Sequence, residues 1–167
     1  MTLGQHKAKE LMKALKDDER ESAANARARE AIEIQAGPFW ESLHIYTKTL
    51  VDDFLVALPI NTGIRCTLVN PNHLMIYRDV VPLLTLDIVY VPGERIDISY
   101  RETPPALGNS KSSKGSYSFF VDSRSDDSGV SVVCVIGKDR NHQDAQSLAN
   151  DICDKVAEFV RHNFTAV

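Results

Sequence analysis

Apolar residues recur every three or four positions between Pro38 and Pro59, which is the spacing of one face of an α-helix. They are Phe39, Leu43, Tyr46, Leu50, Phe54 and Leu58, with Trp40, Val51 and Leu55 alongside. A similar stripe lies between Asn141 and Asn163 and comprises Ala145, Leu148, Ala149, Ile152, Val156, Phe159 and Val160. Both segments are therefore predicted to be amphipathic helices that pack on another layer, the second with Asn141 as its N-cap.

Residues 1–36 lack a sustained apolar stripe. Seven basic and seven acidic residues are present, there is no proline, and alanine is the commonest apolar type. These residues are good helix formers, so a first helix is predicted from about Gln5 to Gln35, and Gly37-Pro38 is expected to separate it from the second. The sequence therefore predicts a charged helical arm at residues 1–36, loosely packed or partly disordered, beside a single α+β domain at residues 37–167.

Apolar and polar residues alternate between the two amphipathic segments, which is typical of β-strands. Six strands are predicted, at Ile64–Val69, His73–Arg78, Leu83–Val91, Arg95–Arg101, Ser116–Asp122 and Val130–Ile136. Short turns join the first four, which favours antiparallel neighbours. The apolar sets of the third and fourth strands share one face only if an odd number of residues connects them, so Pro92-Gly93-Glu94 is predicted as a three-residue loop.

The predicted fold is α+β, with two N-terminal helices, a six-stranded antiparallel meander and one C-terminal amphipathic helix packed on the sheet. This order of elements resembles helix-grip and pleckstrin-homology-like proteins, whose sheets also end in a C-terminal helix. The resemblance is one of topology, since no residue motif accompanies it and the first strand that precedes the helices in helix-grip proteins is missing. It implies a cavity between the sheet and the helices as the place for a small ligand.

Composition and charge narrow the classes of function. The chain has 167 residues, 43% of them apolar, and a net charge of −4, which provides no strong field for nucleic acid or an anionic membrane. Neither a membrane-spanning run nor the apolar block of a signal peptide is present, so a cytoplasmic protein is expected. Cys66, Cys134 and Cys153 are too few and too widely spaced for a disulfide scaffold, and we interpret them as buried apolar residues.

The second face of the predicted sheet carries the candidate binding residues. Alternation places on it Thr85, Asp87, Arg95, Asp97, Ser99 and Arg101, together with Val69, Val89, Phe120, Val133 and Val135. Such a mixed face suits the lining of a pocket, or a patch covered by a second copy. The candidates are the charged Asp87, Arg95, Asp97 and Arg101, with Phe120 and Val133 as an apolar wall. The alternative is that the charged residues form cross-strand ion pairs on a hydrated surface.

Signals for catalysis and metal binding are weak. The segment 108–116 has its lysine before its glycine and precedes a strand, unlike a phosphate-binding loop. The acidic turn 122–127 lacks the ligand spacing of a calcium loop. Asp154, Glu158 and His162 offer too few ligands for zinc, and no nucleophile has a neighbouring catalytic motif. No cofactor or metal is predicted.

Two hypotheses for the function follow. The first is a non-enzymatic cytoplasmic module that binds a protein partner or its own copy, as in a homodimer, through the arm and the mixed sheet face. The second is a helix-grip-like small-molecule carrier, or an enzyme derived from one, with a pocket between sheet and helices. In the second hypothesis the four charged candidates orient the ligand.

Overall fold

Two helices and seven strands make up the part of the chain that the computed structural model describes, which is residues 3–104, 112–125 and 128–164. In chain order they are α1 (Leu3–Ala57), β1 (Arg65–Asn70), β2 (His73–Arg78), β3 (Leu83–Val91), β4 (Arg95–Thr103), β5 (Ser113–Ser125), β6 (Ser131–Ile136), β7 (His142–Gln143) and α2 (Ala145–Phe164). The predicted α+β class, with an antiparallel sheet and a C-terminal helix, is confirmed.

The strands form one antiparallel meander in which each strand pairs with its neighbours along the chain. Val91 pairs with Arg95, so the predicted three-residue loop between β3 and β4 is confirmed. Gly93 in this loop has a φ of 71°, a left-handed conformation that glycine adopts without steric cost. The expected number of six strands is wrong, because the two-residue β7 adds a seventh.

The start of the C-terminal helix also differs from the expectation. Residues 142 and 143 pair with β6 as β7, so α2 begins at Ala145 and not at Asn141. The backbone N–H of Ser147 donates to Oδ1 of Asp144 at 2.7 Å, which makes Asp144 the N-cap. Both residue types suit an N-cap, and the short strand pairing decides between them.

One apolar core fills the space between the sheet and the two helices. Its strand members include Leu74, Ile76, Leu84, Leu86, Ile88, Ile96 and Ile98, and α2 contributes Leu148, Ile152, Val156 and Phe159. Val133 and Val135 also belong to this core, so their predicted place on the opposite face is wrong. Val135 pairs with Val121 of β5. Which side chains of β6 face the core depends on the number of residues in the turn between β5 and β6, and the sequence pattern did not determine this number.

The two predicted N-terminal helices are one 55-residue helix, and Gly37-Pro38 does not end it. Pro38 has no N–H to donate to the carbonyl of Ile34, and an interior proline costs a helix about 3 kcal/mol. Ala36 and Phe39 are buried on either side of it. Their packing outweighs the local cost, and the expected boundary between arm and domain therefore lies inside α1.

Two side chains of α1 attach it to opposite ends of the sheet. The Gln35 side chain donates to the carbonyl of Ser131 at 3.1 Å and accepts from the N–H of Val133 at 3.3 Å, as a neighbouring strand would. Nε1 of Trp40 donates to the carbonyl of Pro71, between β1 and β2, at 2.7 Å. Since residues 35 and 40 are little more than one helical turn apart, the sheet must curve around α1.

The N-terminal part of α1 extends away from these contacts. Every residue from 4 to 27 is exposed, over a length of about 36 Å at the rise of an α-helix. We call residues 4–27 the arm segment. Within the described residues, no helix combines the length and the apolarity needed to cross a membrane.

Two valines of α1 test how much the buried side of this helix contributes to the free energy of unfolding. Val51 is fully buried, whereas Val56 is 86% exposed. Val51→Ala should lower the free energy of unfolding by about 2 kcal/mol, because it removes two buried methyl groups and leaves a cavity. Val56→Ala, with the same gain in helix propensity, should change it by less than about 0.5 kcal/mol. Urea denaturation measures both, and equal effects would contradict the observed packing.

Candidate functional site

The sheet face opposite α1 and α2 is not covered by any helix or strand of the described residues, and we call it the open face. Residues in register across it form rows. One row contains Arg65, Tyr77, Thr85, Arg101 and Lys114, the next Thr67, Met75, Asp87, Ser99 and Ser116, and the third His73, Val89, Asp97 and Ser118. Of the six predicted site residues, all except Val133 lie on this face.

Arg95 and Asp97 form an ion pair at one end of the open face. Nε of Arg95 donates to both carboxylate oxygens of Asp97, at 3.0 and 3.2 Å. The Ser118 hydroxyl on β5 donates to Oδ1 of Asp97 at 2.7 Å. This hydrogen bond, followed by the contact with Arg95, lowers the pKa of Asp97. These two predicted site residues therefore satisfy one another within β4, whereas the alternative expected ion pairs between strands.

Asp87 has a partner that the sequence analysis did not identify. Nε2 of His73 on β2 lies 2.8 Å from Oδ1 of Asp87 on β3. In the register of β2 and β3, His73 is opposite Val89, so it reaches Asp87 diagonally. The alternation of β2 places His73 on the open face, and this was the available signal for the pair.

A depression of about 500 Å³ occupies the centre of the open face. Its lining comprises Thr85, Asp87, Ser99, Tyr100, Arg101, Lys114, Gly115 and Ser116. The structure thus brings two of the predicted residues, Asp87 and Arg101, into one concave site and leaves Arg95 and Asp97 outside it. Lys114 was missed because β5 was expected to begin at Ser116, whereas it begins at Ser113 and pairs Lys114 with Arg101.

The predicted apolar wall is not formed. Phe120 is 59% exposed and lies opposite Arg95, outside the depression. Val133 is buried among the core residues on the other side of the sheet. The two side chains therefore face opposite ways and cannot line one pocket.

A second cavity, of about 300 Å³, lies between α2 and strands β3 to β5. It has an apolar lining of Leu86, Ile98, Phe119, Leu148 and Ile152, with Tyr100, Tyr117, Asp151, Asp154 and Lys155 completing it. None of the predicted ligand-orienting residues lines it. Lys155 donates to Glu158 at 3.1 Å, and this contact raises the pKa of Lys155 and lowers that of Glu158.

The cysteines and acidic clusters add no reactive centre in the described residues. Cys134 is buried, Cys66 and Cys153 are half-buried, and burial raises the pKa of Cys66 to about 11. No three His, Cys, Asp or Glu side chains in the described chain come together as metal ligands. Residues 108–111 of the lysine-glycine segment, and Asp126 and Asp127 of the acidic turn, lie outside the described residues.

Comparison with protein-family models, with curated proteins and with solved structures finds no match to this chain. What the site can do is therefore argued from its own side chains. The open face offers two cationic donors, several hydroxyl groups and one carboxylate that already has a histidine partner. These groups are suited to bind a polar molecule by charge-assisted hydrogen bonds.

Ser118 tests the electrostatics of the Asp97 ion pair. A lowered carboxyl pKa stabilises the fold above the unfolded value near about 3.9, and this contribution is lost as pH falls through the folded pKa. Ser118→Ala should raise the pKa of Asp97, because the largest cause of its lowering is removed. The variant should therefore be less stable than the wild type near pH 7, and the smaller contribution of Asp97 should be fully lost at a higher pH during acidification.

Carboxyl NMR titration measures this pKa directly. Ser116→Ala is the matched control, since Ser116 lies in the neighbouring row and Ser118 is the serine that donates to Asp97. An unchanged pKa in Ser118→Ala, or an equal rise in the control, would refute this assignment.

Proposed function

We propose that this protein is a non-enzymatic interaction module that associates with a second copy of itself through the arm segment. The observation that carries the proposal is the exposed arm segment of α1, on which adjacent blocks have opposite charge. A helix of this composition gains little from its own sequence, since most helical stability in proteins comes from packing. A second copy would supply that packing.

The charge blocks follow one another along the arm segment. Residues 7–16 contain four lysines and one glutamate, for a net charge of +3. Residues 17–21 contain four acidic residues and one arginine, for a net charge of −3. In a parallel, unstaggered pair of arm segments each block would meet its own sign. An antiparallel pair centred on residue 13 places residues 17–21 of each copy opposite residues 5–9 of the other, where Lys7 and Lys9 lie. Charge complementarity therefore specifies both the occupant and its direction.

An apolar patch lies where the two helices would cross. Leu11 is 62% exposed and Leu15 is 54% exposed, one helical turn apart. In an antiparallel pair centred on residue 13, Leu11 of one copy meets Leu15 of the other, and Lys7 comes close to Asp18 beside the leucines. The same arrangement thus buries exposed leucines and pairs opposite charges, which supports self-association over a solvated arm.

Small-molecule carriage is the second candidate function, and the cavity beneath α2 favours it. Its volume of about 300 Å³ and its aromatic and aliphatic lining suit a small apolar ligand. Native mass spectrometry of the purified protein distinguishes the candidates. A dimer of twice the 18.6 kDa chain without added mass supports self-association, and a monomer with added mass that is lost on denaturation supports the carrier.

Complementary charge reversals test the proposed dimer. The variant K7E/K9E makes both blocks negative, and the variant D17K/D18K makes both positive. Each alone should be monomeric in sedimentation velocity, because like blocks then oppose one another, whereas their equimolar mixture should form a heterodimer. Wild-type dimers should weaken between about 0.1 M and about 1 M salt, as the Debye length falls from about 10 Å to about 3 Å.

Several results would overturn this proposal. Wild-type protein that stays monomeric at high concentration would do so, as would reversed variants that still dimerise. A mixture that remains monomeric would show that the charges do not set the pairing. Circular dichroism of each variant verifies that a loss of association does not reflect unfolding.

A further inference from the structure

Arg101 on β4 and Lys114 on β5 are directly opposite each other on the open face. Like charges in directly opposed positions destabilise a sheet, since their Cβ atoms are about 5 Å apart. Neither side chain has a carboxylate partner within residues 3–104, 112–125 and 128–164. Within that part of the chain, the pair is therefore positive charge without a counter-charge, on a protein whose net charge is −4.

Two carboxylates close to the pair in the sheet, Asp87 and Glu102, are already engaged. Asp87 in the same depression is 2.8 Å from His73. Glu102 belongs to the opposite side of β4, where its Oε1 accepts from Asn163 at 3.0 Å. The sequence of residues 105–111, between β4 and β5, contains no Asp or Glu. An anion from outside the chain is thus the natural counter-charge for the pair.

Hydroxyl groups complete the surroundings of the pair. Ser99 and Ser116 are opposite each other in the adjoining row, and Thr85 is next to Arg101 on β3. All three line the depression, and none makes a side-chain hydrogen bond within the described residues. The depression thus presents two cations and three hydroxyl donors on a floor of paired, rigid strands.

We propose that this depression binds the phosphate group of a small phosphomonoester, with Arg101 and Lys114 as its counter-charges and Ser99 and Ser116 as hydrogen-bond donors. Phosphate fits because guanidinium and ammonium groups both form charge-assisted hydrogen bonds to it. Asp87 accepts a hydrogen bond from a hydroxyl group on the remainder of the ligand, which favours a phosphorylated polyol. The volume of about 500 Å³ accommodates such a molecule. This site is separate from the arm segment and does not depend on self-association.

Isothermal titration calorimetry with glycerol phosphate, inorganic phosphate and glycerol tests the proposal. Glycerol phosphate should bind, inorganic phosphate should bind more weakly, and glycerol should show no heat up to about 10 mM. Arg101→Gln and Lys114→Gln should each weaken glycerol phosphate binding by about tenfold or more, because each removes a charged hydrogen-bond donor. Arg65→Gln is the matched control, since Arg65 is in the same row of the open face but three strands away.

Thermal unfolding shows whether these variants remain folded. Without ligand, Arg101→Gln and Lys114→Gln should melt no lower than the wild type, because each relieves the repulsion within the pair. Glycerol phosphate should raise the melting temperature of the wild type and of Arg65→Gln, but not that of the other two variants.

The proposal is overturned if the wild type does not bind glycerol phosphate, or if Arg65→Gln loses as much affinity as Arg101→Gln. If inorganic phosphate bound as tightly as glycerol phosphate, Asp87 would have no role in binding and the assignment of a phosphomonoester would be wrong. A lipid headgroup is the other source of the same chemistry. Binding to vesicles that contain phosphatidic acid, without binding to glycerol phosphate, would therefore overturn the proposal that the ligand is a small soluble molecule.

Discussion

The packing of α1 against the concave side of the sheet is the constraint on which the other features depend. Gln35 completes the edge of β6, and Trp40 reaches the turn between β1 and β2 while stacking on Tyr90 at 5.4 Å. These contacts hold one stretch of helix between the two ends of the sheet. The helix therefore continues through Pro38, its earlier turns extend without packing, and both helices lie on one side, which leaves the other side of the sheet open.

The parts of the fold that local patterns determine were predictable. The alternation of β3 and β4 admits one register once the length of their loop is counted, because a slip of one residue would expose every apolar side chain. The orientation of β6 depends on the turn before it, so Val133 could not be placed. The continuity of α1 at Pro38 depends on tertiary packing, which outweighs local helix-ending signals. No pattern in the sequence predicted the packing of α1 on either side of Pro38.

The candidate site was predictable to a similar depth. Alternation placed Asp87, Arg95, Asp97 and Arg101 on one face, and the structure has them there. Whether a charged residue pairs within its own strand or faces a charge on the next strand required the structure. Arg95 is adjacent to Asp97 and neutralises it, whereas Arg101 is opposite Lys114. Strand alternation alone does not distinguish a pair of opposite charges, such as Arg95 and Asp97, from a pair of like charges, such as Arg101 and Lys114.

Charge is thus distributed unevenly in a chain whose overall composition is ordinary. The arm segment carries a positive block followed by a negative block. The open face carries a satisfied ion pair at one end and, at its centre, two cations without a carboxylate partner among the described residues. Each arrangement leaves local repulsion that a surface salt bridge within the chain would have relieved. Since opposite charges elsewhere in the sequence balance these clusters, the net charge of the chain does not indicate where like charges lie together. What matters is whether the side chains next to each charged residue carry the same or the opposite charge. In the arm segment this can be read from the sequence, whereas on the open face it follows from the register of the strands.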